Sequence, residues 1–144
     1  MAEQALRRNR RSTKKRGIQT DATVLAELVK RGFTVLIPFG QIERFDLVVY
    51  RNRRFIRVQC KTGRLRRGVV VFNAYSISQN RRIVRRLSYR GEIDVFAVYC
   101  AKIDKLYWVP VNAVNSTQGA LRIKPSANKQ IKRIRWAKDF ELPG

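Results

Sequence analysis

Histidine is absent from all 144 residues, which excludes Ser-His triads, His-metal nuclease centres and ordinary Cys/His zinc sites. Acidic residues are scarce as well, 10 against 32 Lys plus Arg, so acid or base chemistry rests on a few Asp, Glu, Lys or Tyr side chains. Only two cysteines are present, Cys60 and Cys100, both in apolar strand-like runs and far apart in the chain. That is too few for a secreted disulfide framework and fits reduced, buried thiols in an intracellular protein. No apolar run approaches the roughly 18 residues of a spanning helix, and the amino terminus has no apolar signal core. No membrane partner is expected.

What the chain has instead is positive charge. A formal net charge of +22 repels itself unless a polyanion is the usual partner, and nucleic acid is the first candidate. An apolar fraction of 44% with 10% aromatics is that of a globular protein, and the length suits one core. Residues 7–16, RRNRRSTKKR, contain almost nothing that packs. Residues 1–16 are therefore read as a flexible basic arm and 17–144 as the folded domain.

Along that domain, Val24, Leu25, Leu28 and Val29 recur at helical spacing and stop at Gly32, predicting a helix over Asp21 to Arg31. Phe33 to Pro38 reads as a short, fully apolar strand, and Gly40 to Glu43 as a turn. Arg44 to Thr62, RFDLVVYRNRRFIRVQCKT, reads as a hairpin turning at Arg51-Asn52-Arg53. A basic loop, Thr62 to Gly68, leads to a strand at Val69 to Ala74. Arg81 to Arg90 reads as a weak amphipathic helix or an irregular basic segment. Asp94 to Cys100 and Leu106 to Val111 form a second hairpin, with Pro110 at an edge. The basic tail from Ala120 onward has Trp136 as its one large anchor.

Strand alternation puts Phe55, Arg57, Gln59 and Lys61 on one face of the second hairpin strand and Ile56, Val58 and Cys60 on the other. Asp46, between Phe45 and Leu47, is a carboxylate in an apolar strand, where an unpaired charge is costly. Metal coordination explains it; a strand-end Asp in water or paired with Arg44 is the plain alternative. Gln59 offers an amide oxygen to a metal or to a water, although a polar residue on an exposed strand face needs no such role. Lys61 offers an ammonium to steady developing negative charge, and taken alone it is a surface lysine. Asp21 offers a second carboxylate from the helix face that packs on the sheet, or else caps that helix. Asp46, Gln59, Lys61 and Asp21 are the candidate catalytic residues, and Asp46, Gln59 and Asp21 the candidate metal ligands. Oxygen ligands of this kind suit Mg²⁺ (or Mn²⁺), which would activate a water and offset charge on a phosphodiester. Candidate phosphate contacts are Arg7, Arg8, Arg10, Arg11, Lys14, Lys15 and Arg16 in the arm, Arg64, Arg66 and Arg67 in the loop, and Arg81, Arg82, Arg85 and Arg86.

The order of an acid-bearing helix, an apolar strand, a strand with Asp, and a strand ending in x-X-Lys resembles the PD-(D/E)XK nuclease superfamily. VLAELVKRGFTVLIPFG, RFDLVVY, RFIRVQCKTGRLRRG, YRGEIDVFAVYC, LYWVPV and IRWAKDFEL together resemble the branch containing group I intron-encoded homing endonucleases, from about Thr20 to Leu142. In that branch the position of Gln59 is commonly Gln. The helix acid is usually Glu after Gly, where this chain has Thr20-Asp21, and Phe45 stands where Pro commonly precedes the central Asp. The resemblance implies an α/β restriction-endonuclease-like core with a central mixed β-sheet flanked by helices. It also implies Mg²⁺-dependent cleavage of double-stranded DNA and a homo-oligomer (dimer or tetramer). A cytoplasmic, nucleoid-associated location is expected alongside the reduced cysteines. A Holliday junction resolvase of the same fold and a non-catalytic nucleic-acid-binding protein are the alternatives.

Overall fold

A computed structural model describes residues 1–40, 42–129 and 132–142. Gln41 of the expected turn, and Gln130 and Ile131 of the basic tail, lie outside the described residues.

The first element is one long helix, α1 (Ala2–Lys30). It contains the stretch expected as a helix over Asp21 to Arg31 but starts 19 residues earlier than Asp21, because strong helix formers dominate the whole segment. The basic arm is thus its amino-terminal part, and all of residues 1–16 are exposed. Only the carboxyl-terminal part packs, through the fully buried Val24 and Leu28, each of which contributes about 1.5–3 kcal/mol by leaving water. The helix ends in a Schellman motif. Gly32, at φ +83°, donates to Val29 O and Phe33 donates to Leu28 O, which satisfies the last carbonyls.

A five-stranded sheet follows, built from β1 (Thr34–Leu36), β2 (Leu47–Arg51), β3 (Arg54–Thr62), β8 (Val95–Cys100) and β9 (Lys105–Pro110), in the order β1-β2-β3-β8-β9. The β2–β3 hairpin turns at Asn52 and Arg53, both at positive φ, as the sequence predicts. β3 and β8 run parallel and the other pairs antiparallel, so the sheet is mixed. β9 is an edge strand, consistent with Pro110. β1 is also an edge and is shorter than the expected strand over Phe33 to Pro38, with Thr34 and Leu36 facing solvent.

Two cores lie on opposite faces of this sheet. On one, Val24 and Leu28 of α1 meet Leu47, Val49, Val58, Cys60, Val95 and Ala97. On the other, Phe96, Val98 and Cys100 meet Val70, Phe72 and Leu121, which belong to a three-stranded sheet of β4 (Arg64–Arg66), β5 (Val69–Asn73) and β10 (Gln118–Arg122). β8 is therefore covered on both faces, and this is why VFAVYC is a continuous apolar run. Cys60 and Cys100 are free and buried.

Three expectations change. The Thr62 to Gly68 loop contains strand β4. Arg81 to Arg90 is not helical: β6 (Tyr75–Asn80) and β7 (Ile83–Ser88) form a two-stranded ribbon, because β-branched residues and a tight Arg81-Arg82 turn outweigh the weak helical spacing. The tail is anchored by Ala137 and Leu142, both buried, while Trp136 is only half-buried.

Candidate active site

The β2–β3 ladder ends at the Leu47–Val58 pair. Just beyond it the Asp46 N–H donates to Val58 O at 2.9 Å, and Asp46 Oδ2 accepts from the Cys60 N–H at 2.9 Å. The carboxylate thus occupies the place of a strand carbonyl, which fixes its direction. Its Oδ1 engages no donor among the described residues. Arg44 does not pair with Asp46. It bonds Glu92 at 3.0 Å, so the strand-end ion pair considered from sequence is not formed.

Asp21 arrives from α1. It lies well inside the helix, so it is not the cap that its expected position allowed. Ligand atoms of Asp21, Asp46 and Cys60 all lie within 4.8 Å of one another, and the three line a cleft of about 430 Å³. Burial, then the neighbouring Asp46, pushes the Asp21 carboxyl up to about 6. Burial also raises Asp46, opposed by the Cys60 N–H bond and by Lys61. Two carboxylates facing each other in a partly dry cleft form a sink for positive charge. Burial holds the Cys60 thiol protonated, with Asp46 and Asp21 adding to the effect.

Lys61 leaves β3 on the opposite face from Cys60. Burial lowers its ammonium to about 8, with Asp46 opposing and Arg44 assisting. Its Nζ donates to Tyr75 O at 3.2 Å and to Tyr89 Oη at 3.3 Å. Asp21 and Asp46 are thus brought together, and Asp46 and Lys61 feel each other's charge. Gln59 is half-buried in β3; it does not line the cleft, and its side chain makes no hydrogen bond among the described residues.

Hard oxygens suit a hard divalent cation; the Asp21 and Asp46 carboxylates could hold one, whereas the protonated Cys60 thiol beside them is not a ligand of that kind.

Sequence reasoning missed three residues here. Glu43 lines the cleft with Asp21 and Asp46; an acid three positions before Asp46, in a chain with 10 acids, was the available signal. Arg44 and Tyr89 surround Lys61 electrostatically and sterically, with the Arg44 guanidinium 4.5 Å from the Tyr89 ring centre. No local pattern links positions so far apart in sequence. The expected phosphate-contacting residues lie at three separate places, the exposed start of α1, the β4–β5 hairpin and the β6–β7 ribbon, and all 14 are exposed.

The bacterial homing endonuclease I-Ssp6803I has the same fold, with a TM-score of 0.72 and 23% identity over 90% of this chain and 88% of that one. No curated protein sequence matches the chain. The family model of PD-(D/E)XK endonucleases matches residues 11–143, nearly the whole length and including Asp21, Asp46, Gln59 and Lys61. The chain belongs to the PD-(D/E)XK endonuclease family.

Proposed function

We propose that this protein is a divalent-metal-dependent endonuclease that hydrolyses phosphodiester bonds in double-stranded DNA. The observation that carries the reading is the pairing of Asp21 and Asp46 in one cleft, with the Lys61 ammonium close enough to Asp46 to shift it. A bound Mg²⁺ or Mn²⁺ would lower the pKa of a water and offset charge on the phosphoryl oxygens. Asp46 and Asp21 would hold the ion. Gln59, on the Lys61 face of β3 and outside the cleft, offers its neutral amide oxygen to a water beside the scissile phosphate and not to the ion. Lys61 steadies negative charge that develops on the scissile phosphate, and its lowered pKa keeps part of the population neutral near pH 8, able to take a proton from the attacking water.

The basic residues provide affinity without sequence information. Arg7 to Arg16 on α1, Arg64, Arg66 and Arg67 on the β4–β5 hairpin, and Arg81 to Arg86 on the ribbon contact phosphates on this reading. Cutting both strands in one encounter is served by two such sites of opposite polarity, which a two-fold dimer, or a tetramer built from dimers, supplies. The resemblance to homing endonucleases favours a long duplex site over a four-way junction.

The test is cleavage of supercoiled plasmid, linear duplex and an immobile four-way junction, each with Mg²⁺, with Mn²⁺ and with EDTA. Metal-dependent cutting of plasmid and duplex supports the reading. Cutting confined to the junction replaces it with a resolvase. Tight binding with every substrate intact, including a plasmid library carrying random inserts, replaces it with a non-catalytic binder.

A further inference from the structure

The β6–β7 ribbon meets the rest of the domain at its two roots, and both roots grip Lys61. The Nζ donates to the carbonyl of Tyr75, the first residue of β6, at 3.2 Å and to Oη of Tyr89, the residue after β7, at 3.3 Å. It also lies 4.7 Å from the Tyr89 ring centre. Arg44, two residues before Asp46, ties down the same roots: it donates to Ser76 Oγ at 2.9 Å, Leu87 O at 3.3 Å and Ser88 O at 3.2 Å. Among the described residues nothing covers the ribbon past Ser76: every residue from Ile77 to Ser88 is exposed, and the two strands pair with each other and with no other described strand. Residues 75–90 include no Asp or Glu, so nothing along the ribbon offsets its attraction to phosphate.

A segment that is free at a basic tip and fastened at its base to a catalytic lysine moves that lysine when the tip is engaged. Both Lys61 bonds are near the long end of the hydrogen-bond range, so a displacement of a few tenths of an ångström at either root changes them. Tyr89 joins the β7 root to the core: it is buried, and its ring packs edge-on to Phe96 at 5.6 Å, so its hydroxyl is where the ribbon root and Lys61 meet.

We propose that the β6–β7 ribbon couples duplex contact to the placement of Lys61, with Tyr89 as the positioning residue. This rests on the endonuclease reading. The ribbon then contributes to the rate of cutting as well as to affinity, and it does so through the Tyr89 hydroxyl.

The test is a double-mutant cycle between Tyr89→Phe and the tip pair Arg81→Ala/Arg82→Ala, in the full chain at saturating protein on a cleavable duplex, with single-turnover rate and Kd both read. Tyr89→Phe keeps the ring but removes the hydroxyl that bonds Lys61, Ser76 and Arg44, and it should cut about tenfold more slowly, with Kd unchanged within about twofold. The tip pair should weaken binding and also slow cutting severalfold at saturation. In the Tyr89→Phe background it should still weaken binding but slow cutting no further. A tip variant that cuts at the wild-type rate once saturated overturns the coupling, as does full additivity of the two rate effects or a Tyr89→Phe enzyme of normal rate. A wild type that cuts no DNA refutes the endonuclease reading instead. The grip on Lys61 is then read in DNA-free protein by the rate of reductive methylation at Lys61, mapped by mass spectrometry: faster in Tyr89→Phe supports it, equal rates overturn it.

Discussion

Replacing Asp21 by Asn should stabilise the metal-free protein, although it removes a residue assigned to the active site. In the folded state Asp21 titrates at about 6, against an ordinary 3.8, because burial and Asp46 both disfavour its charge. Between those pH values the folded protein binds more protons than the unfolded chain, so stability falls as pH rises through the window. The penalty is absent below 3.8 and complete above about 6. Unscreened, such a shift corresponds to roughly 3 kcal/mol; Asp21 is solvent-accessible, which reduces it to about 1 kcal/mol. Urea denaturation in EDTA at pH 8 should therefore show Asp21→Asn more stable by about 1 kcal/mol, with an unchanged m value, and the advantage should vanish at pH 3.5. Added Mg²⁺ should raise the midpoint of the wild type far more than that of the variant. An Asn variant no more stable than wild type at pH 8, or equally advantaged at both pH values, would refute the electrostatic account of the cleft.

Lys61→Met should also stabilise the metal-free protein at pH 7, by roughly 1–2 kcal/mol. The lysine titrates at about 8 when folded and 10.5 ordinarily, so its penalty is complete below 8 and disappears as pH rises through 10.5; denaturation at pH 7 and pH 11 checks this. Gly119→Ala should cost at least about 2 kcal/mol in the same assay, because its Cβ would overlap the ring of Phe72, which is fully buried opposite it. Arg81→Ala/Arg82→Ala should lower the steepness of the log Kd against log salt plot for duplex DNA by about two, one for each phosphate no longer neutralised.

Where sequence patterns are local, the fold was readable. The β2–β3 hairpin follows from β-formers flanking Arg51-Asn52-Arg53, and the β8–β9 pair from the apolar runs at Asp94 to Cys100 and Leu106 to Val111; that β8 is covered on both faces was not read. Val24 and Leu28 were legible as the packing stripe of α1, but its start was not. No cap or breaker separates the basic arm from the packed part, and Gly17 in mid-helix costs only about 1 kcal/mol. The ribbon was missed because Ile83, Val84 and Leu87 satisfy a helical stripe as readily as a strand; what decides is the pairing with Tyr75 to Asn80, which no single-strand pattern contains.

The site divides in the same way. Asp46 stood out because a charge in an apolar strand is a local anomaly; Lys61, taken alone a surface lysine, was marked only by sharing a strand face with Gln59. The closeness of Asp21 to Asp46 depends on how α1 lies across β3, and the burial that raises both carboxyls is a property of the packed cleft. Alternation separated Gln59 and Lys61 from Cys60, but the Asp46 carboxylate reaches the Cys60 N–H at the end of the ladder, where alternation stops being a guide. Tyr89 and Arg44 act on Lys61 from other elements, and only the folded chain brings them there.

The measurement that bears most directly on the central claim is single-turnover cleavage by wild type and Asp46→Asn at matched DNA occupancy, with Mg²⁺ and with EDTA. Wild type should cut only with the metal, while Asp46→Asn, which keeps an oxygen for the Cys60 N–H but loses the charge that holds the ion, should bind DNA at least as tightly and cut at least about 10²-fold more slowly. Equal cutting by the two proteins, or cutting by wild type that survives EDTA, would contradict the account.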